Sequence, residues 1–275
     1  MKSLVRWGAT LGLIGSTLLS TVFVGNVPVL ALTQQQVKEK LDSVPVFLIM
    51  NNQDIPLTSS VPAGQNGQKP GFVTQVFMSA QEAQAFMNQL RNRKDPDPKI
   101  AEIVKTLQVK AVPLGVIYQK VKETANSPDR LLFTFQPGKQ ELEGAVALLN
   151  QSGQKVKRFL SVPVFIVNSP DKGYILMKRR SDNKDIFPLF LSKKDAQNLL
   201  NQVKSEVPKA EIQVVDMDGI IKALQEKNDQ WLNQVALIPS SESIEYISKL
   251  MGNNPPNRSA APAQNQSPSV PAKKK

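Results

Sequence analysis

A mixed α/β fold built from two tandem, pseudo-symmetric repeats, each a small mixed sheet covered by helices, is what this 275-residue chain predicts. Three observations predict it. Ser43-Val44-Pro45-Val46-Phe47 recurs letter for letter as Ser161-Val162-Pro163-Val164-Phe165, an offset of 118. Phe77-Met78-Ser79 ahead of Gln81-Glu82-Ala83-Gln84 matches Phe190-Leu191-Ser192 ahead of Lys194-Asp195-Ala196-Gln197, at an offset of 113. Phe133-Thr134-Phe135-Gln136-Pro137 aligns with Val235-Ala236-Leu237-Ile238-Pro239, at an offset of 102. Blocks that return in the same order mark an internal repeat.

Each half can be read element by element. The repeated run continues into further apolar residues and then a turn, Asn51 to Asp54 in one copy and Asn168 to Gly173 in the other. That is strand, turn, strand. Proline so early suits a first position or an edge, because it donates no ladder bond; its return predicts two equivalent edges. The five residues lost between the first two offsets come out of the Gly- and Pro-rich loop Ser60 to Pro70, where loss is cheap. Ser79 with Glu82 reads as a capping box, and Ser192 with Asp195 as a weaker one. The helices that follow place Ala83, Phe86, Met87 and Leu90 on one face, and Ala196, Leu199, Leu200 and Val203 on the matching face. Asp97-Pro98 reads as an N-cap with proline at the first helical position. Ile100, Ile103, Val104 and Leu107 then give one extra short helix in the first half. At the end of each half Leu142, Ala145 and Leu149 align with Ile244, Ile247 and Met251. Each half thus reads strand, strand, strand, helix, strand, helix, strand, helix, which is a mixed sheet covered by helices. The boundaries are 1–31, 32–152, 153–251 and 252–275.

The two ends are expected to stand apart from the fold. Lys2 and Arg6 precede an uncharged apolar run from Leu11 to Val24, and Val29-Leu30-Ala31 offers small or apolar residues at a cleavage site. This is a secretory signal peptide, with the mature protein starting near Leu32. An uncleaved anchor is the rival, weakened by a bare minimum of length and by Gly, Ser and Thr within it. A plastid transit peptide would be longer and richer in Arg and Ser. From Gly252 the chain is rich in Pro, Asn, Ser and Ala without an apolar period, and reads as disordered. The whole chain has 34 basic and 23 acidic residues. Lys2, Arg6, Arg258, Lys273, Lys274 and Lys275 lie in the ends, so 28 basic residues face all 23 acids and the fold carries +5. That is mildly basic and argues against nucleic-acid binding. Contact between the Lys275 end and anionic lipid or wall polymer would be peripheral.

Composition lowers the prospect of catalysis. There is no Cys and no His, so thiolate, zinc-ribbon and imidazole chemistry have no residues to use. GxSxG and Walker-type frames are absent. Asp216-Met217-Asp218-Gly219 sets two carboxylates two apart, but without the acids that complete a calcium loop; Asp218 reads as a helix cap. Lys178-Arg179-Arg180 ahead of Ser181 to Asp185 reads as a solvated hairpin tip rather than an anion patch. No catalytic residue, cofactor or metal is expected. Flexible methionines suit promiscuous peptide surfaces. Met78 and Met87 align with Leu191 and Leu200, a volume-conserving exchange typical of core. Met50, Met177 and Met217 have no clear apolar counterpart. With Phe47 and Phe165 they are the candidate polypeptide-binding residues.

The signal peptide, the repeated Val-Pro-Val-Phe strand, the Val112-Pro113-Leu114-Gly115 segment and the duplicated α/β order together resemble a known family. It is the family of the twenty-two-kilodalton subunit of the chloroplast inner-envelope protein-import translocon, in its cyanobacterial branch. The resemblance runs from Thr33 to Met251. It implies a protein of the periplasm or thylakoid lumen, or of the plastid intermembrane space in a plastid-bearing organism. It also implies escort of unfolded precursor or outer-membrane proteins, apolar pockets related by a pseudo-twofold, and translocon or outer-membrane assembly components as partners. The expected function is a chaperone or protein-translocation factor. The alternative is a structural envelope component tethered through its basic tail.

Overall fold

The computed structural model describes residues 32–250 except 62–70, 94–97, 128–130, 180 and 228. The expected signal peptide, the expected tail, most of the Ser60–Pro70 loop, Asp97, Arg180 and Met251 lie outside the described residues. The first half runs α1 (Gln34–Asp42), β1 (Pro45–Met50), β2 (Thr58–Val61), β3 (Gly71–Phe77), α2 (Ala80–Asn92), α3 (Pro98–Thr106), β4 (Gln108–Pro113), α4 (Leu114–Thr124), β5 (Leu131–Gln136) and α5 (Lys139–Gln151). The second runs β6 (Pro163–Ser169), β7 (Gly173–Tyr174), β8 (Met177–Lys178), β9 (Asp185–Phe190), α6 (Lys193–Val203), β10 (Glu211–Asp216), α7 (Met217–Glu226), a 3-10 turn over Gln230–Gln234, β11 (Val235–Ile238) and α8 (Ser241–Leu250). The mixed α/β class is the one the sequence predicts, with α3 as the inserted helix, but the second half has four strands before α6 where three are expected. α1 has no counterpart before β6. Its cap is the complete box: Thr33 Oγ1 accepts from Gln36 N–H, and the Gln36 side chain accepts from Thr33 N–H.

The two sheets share one strand order and one register. In the first, β4 pairs antiparallel with β1, β1 meets β3 at Phe47 opposite Phe77, and β5 runs parallel to β3. In the second, β10 pairs antiparallel with β6, β6 meets β9 at Phe165 opposite Phe190, and β11 runs parallel to β9. Phe47 lies opposite Ala111, and Phe165 opposite Val214. β2 pairs with the start of β3, on the edge that β1 meets at Phe77. The proline-marked strands are therefore internal in both sheets, and the expected edges lie elsewhere. Pro45 and Pro163 are tolerated because each is the first residue of its strand, where its missing N–H costs the ladder little.

Burial on both faces explains why these strands are runs of apolar residues rather than alternations. Val46 and Leu48 of β1, Val164 and Ile166 of β6, and Leu189 and Leu237 belong to one inner core, completed by Val37, Leu41, Leu114, Ile117, Met217, Ile220 and Leu224 from α1, α4 and α7. The inner core thus spans both halves. Phe47 and Ile49 point the other way, into an outer cluster with Ala83 and Met87 of α2. Phe165 and Val167 do the same with Ala196, Leu199 and Val203 of α6. The last helix of each half crosses over. Ala145 and Leu148 of α5 pack in the outer cluster of the second sheet. Tyr246 of α8 packs in the outer cluster of the first, edge-on to Phe47 with ring centroids 5.5 Å apart.

Candidate functional site

A cleft of about 350 Å³ opens where the halves meet. The N-terminal ends of α2, α5, α6 and α8 surround it, and neighbouring carboxylates satisfy three of them. Ser79 Oγ accepts from Glu82 N–H as the sequence suggests, but the Glu82 carboxylate does not turn back to complete the box. It accepts from Lys139 N–H at the start of α5 (3.3 Å). In the second copy the Asp195 carboxylate likewise leaves Ser192 and accepts from the N–H and Oγ of Ser241, both at 2.9 Å, at the start of α8. Glu141 accepts from Lys193 N–H (2.7 Å) at the start of α6. Each acid ties its own helix to the next, where the helix dipoles favour negative charge. The positive ends are thus already balanced by protein carboxylates, and the cleft serves as a clasp between the halves.

Glu141 is the strained member. Burial pushes its pKa above the usual carboxylate range; the Lys193 N–H opposes this, Asp195 adds to it, the Ser192 hydroxyl opposes it and Glu242 adds to it. A carboxyl that binds its proton more tightly when folded costs stability above the folded pKa, and that cost fades as pH falls toward the unfolded value. Glu141→Gln keeps an acceptor for Lys193 N–H and removes the charge. Its melting temperature is therefore expected to exceed that of the parent near about pH 8, with the gap closing toward about pH 4.5. Melting curves at both pH values check this; a gap that widens on acidification refutes it.

The structure places the five sequence-nominated residues apart. Phe47 and Phe165 are fully buried beneath the outer helices, Met217 is buried in the inner core and Met177 in the second outer cluster. None of these four offers surface to a client in this conformation. Met50 is half-buried at the end of β1. Asp216, not Asp218, caps α7: its Oδ1 accepts from Gly219 N–H at 2.6 Å, and Asp218 sits in the first turn accepting from Ser161 Oγ at 3.1 Å. At the hairpin tip, Arg179 pairs with Asp182 at 3.0 Å and Lys178 with Asp185 at 2.8 Å.

The apolar surface lies elsewhere. α3 buries none of its residues; Ile100 is 43% and Ile103 55% exposed, while Val104 touches the outer cluster of the first sheet. α8 buries only Ser243, and Leu250 is 58% exposed. By contrast its counterpart α5 buries Gly144, Ala145 and Leu149. Ala111 of β4, on the Phe47 face, is exposed, whereas Val214 at the matching place is half-buried. The outer layer of the first sheet is the looser one. The sequence marked the apolar face of α3 but could not say that it stays uncovered. The signal was that α3 is an insertion, so the second half holds no matching place for it.

Two mixed sheets of one order, sharing an inner core and exchanging their last helices, define a class of two-sheet α/β proteins. The chain belongs to the Tic22-like family, whose sequence model matches residues 9–249. It is 24% identical over 217 residues to an Arabidopsis thaliana protein described as TIC 22-like and chloroplastic, covering 76% of this chain and 61% of that relative. The chain therefore spans about three fifths of that relative's length. A solved structure of Anabaena Tic22, described as a protein of protein transport, superposes with a TM-score of 0.76 at 57% identity, over 79% of this chain and 97% of that one. Tic22 from Plasmodium falciparum shares the fold, with a TM-score of 0.59 at 21% identity over 78% of this chain and 97% of its own. Among the described residues no helix is long and apolar enough to cross a membrane.

Proposed function

We propose that this chain is a protein-transport factor that holds unfolded polypeptides without a catalytic step, after export to the periplasm or thylakoid lumen. Membership of the Tic22-like family supports the transport role. The observation that carries polypeptide binding is the uncovered apolar surface of α3 and α8 beside the first sheet, where Ile103 and Leu250 are more than half exposed. Such surface gains about 25 cal/mol per Å² when a client covers it. The folded part carries only +5, and charge attraction fades beyond a screening length of roughly 8 Å at physiological salt, so binding should hardly respond to salt.

A fluorescent unfolded client titrated at low and at high salt tests this. Affinity is expected to change little between the two. The double variant Ile100→Lys with Ile103→Lys is expected to weaken it about tenfold, roughly 1.4 kcal/mol. Melting should barely move, because exposed substitutions usually stay within about 0.5 kcal/mol. Binding lost at high salt would assign it to basic segments and favour a tether, and no binding at either salt would refute the proposal.

A further inference from the structure

β5 and β11 are counterparts, each the outermost parallel strand of its sheet, yet their free edges are treated differently. In the second sheet Leu191 N–H donates to Ile238 O, so Val235 and Leu237 turn their main-chain groups away from β9. α1 meets both carbonyls: Lys40 Nζ donates to Val235 O at 2.9 Å, and Ser43 Oγ to Leu237 O at 3.2 Å. Beside them Val37 and Leu41 of α1 share the inner core with Leu224 of α7, which is fully buried.

In the first sheet Met78 N–H donates to Gln136 O, and Leu131 N–H turns the other way to Thr124 Oγ1. By the alternation of a strand, Phe133 and Phe135 also face the free side. They stand where Val235 and Leu237 stand. Among the described residues nothing hydrogen-bonds to the edge-facing main chain of Phe133 or Phe135. Val121, the counterpart of Leu224, is 40% exposed although it continues the buried face of Leu114 and Ile117. The reason is the missing helix. Residues 152–162 run into β6 without one, and Phe159 packs instead in the outer cluster of the second sheet.

We infer that the free edge of β5 is a docking site for one extended segment of a client polypeptide, which pairs with the main chain of Phe133 and Phe135 and lays apolar side chains against Val121. This rests on the polypeptide-binding reading above and names the form in which the client is held. Three features select that occupant. β5 reads Leu-Leu-Phe-Thr-Phe-Gln, with none of the charges or prolines that commonly protect an edge from added strands. α4 packs against β5 and is tied to it through Thr124. A strand needs only about 4.8 Å beside its neighbour. A second copy is the poorer fit, because pairing two six-residue strands falls well short of the roughly 1,200 Å² buried in a stable interface. The half-buried rings of Phe133 and Phe135, already resting on the inner core, would flank alternate side chains of the guest, and aromatic and β-branched cross-strand pairs are favourable.

The probe is a fluorescein-labelled peptide of alternating valine and threonine with lysine ends, added to the exported protein. Residue-resolved amide exchange reads the contact. The Phe133 and Phe135 amides are expected to slow about tenfold or more on saturation, while the Thr134 amide, turned toward β3, stays slow throughout. Val121→Lys is expected to weaken the peptide about tenfold, and a peptide N-methylated at alternate residues should not compete, because main-chain bonds supply much of the affinity. Peptide binding that leaves Phe133 and Phe135 unprotected overturns the inference. So does protection that grows with protein concentration in the absence of peptide, which would assign the edge to a second copy. If the edge stays unprotected while an unfolded client still binds through Ile100 and Ile103, the edge inference falls and the polypeptide-binding reading stands. Failure of both client and peptide to bind removes both.

Discussion

Phe165→Ala is expected to cost about 3–5 kcal/mol of stability, because it deletes a fully buried ring whose surroundings cannot collapse into the space. Phe165 sits where α5 of the first half and α6 of the second half meet the second sheet. At a chain length above 150 residues each kcal/mol shifts the melting temperature by roughly 2–4 °C, so a fall of about 6–20 °C should appear. Phe47→Ala should cost a comparable amount, with one difference: Tyr246 loses the ring it meets edge-on, so α8 should become the first site of proteolysis. Equal protection of α8 and α5 in that variant would contradict the cross-packing described above. A cost below about 1 kcal/mol for Phe165→Ala would mean that the outer cluster is not close-packed.

Gly115→Ala is the second large effect. Gly115 lies in the first turn of α4, and a Cβ there would stand 2.5 Å from the carbonyl oxygen of Lys38 on α1. Main chain cannot swing aside, so the two helices must separate, at an expected cost of about 3 kcal/mol. Asp42, bonded to Lys38 at 2.7 Å, is crowded by the same methyl. Gly144→Ala is the matched control. Its added methyl meets only the side chain of Lys193, at 2.7 Å, which can move. Alanine is also favoured over glycine inside a helix by about 1 kcal/mol, so this variant should be near neutral or stabilised. Denaturant unfolding of both variants checks the contrast; a neutral Gly115→Ala would mean that α1 does not lie as close to α4 as described.

Much of this fold is legible in the letters. Repeated blocks disclose matching strands, and the matched registers Phe47 with Phe77 and Phe165 with Phe190 follow the same offsets. What the letters conceal is where an apolar face goes. Periodicity shows that α5 has a face built on Ala145 and Leu149, but not that it covers the sheet of the other half. Prolines at 45 and 163 suggest edges, whereas a strand's first position tolerates them equally well in the middle of a sheet. α1 escaped because only Val37 and Leu41 are buried in a stretch otherwise rich in Gln and Lys. Four of the five nominated site residues are buried for a related reason. Missing counterparts and aromatic character mark large side chains, and large side chains in doubly covered sheets go inside. The acids at 82 and 195 carry a local capping signature, yet their partners at 139 and 241 are set by tertiary structure alone.

The crossing of the last helices also sets the order in which the molecule can finish. The outer face of the first sheet receives Tyr246 only when the final described helix has been made, so Phe47 waits nearly two hundred residues for its cover. The second sheet, by contrast, finds α5 already synthesised and waiting. A chain emerging from its N-terminus therefore completes its later half first, and its earlier half closes last. Contacts of such long sequence separation slow folding. A polypeptide severed between α5 and β6 would leave each fragment lacking the other's lid, so neither piece should fold until both are present.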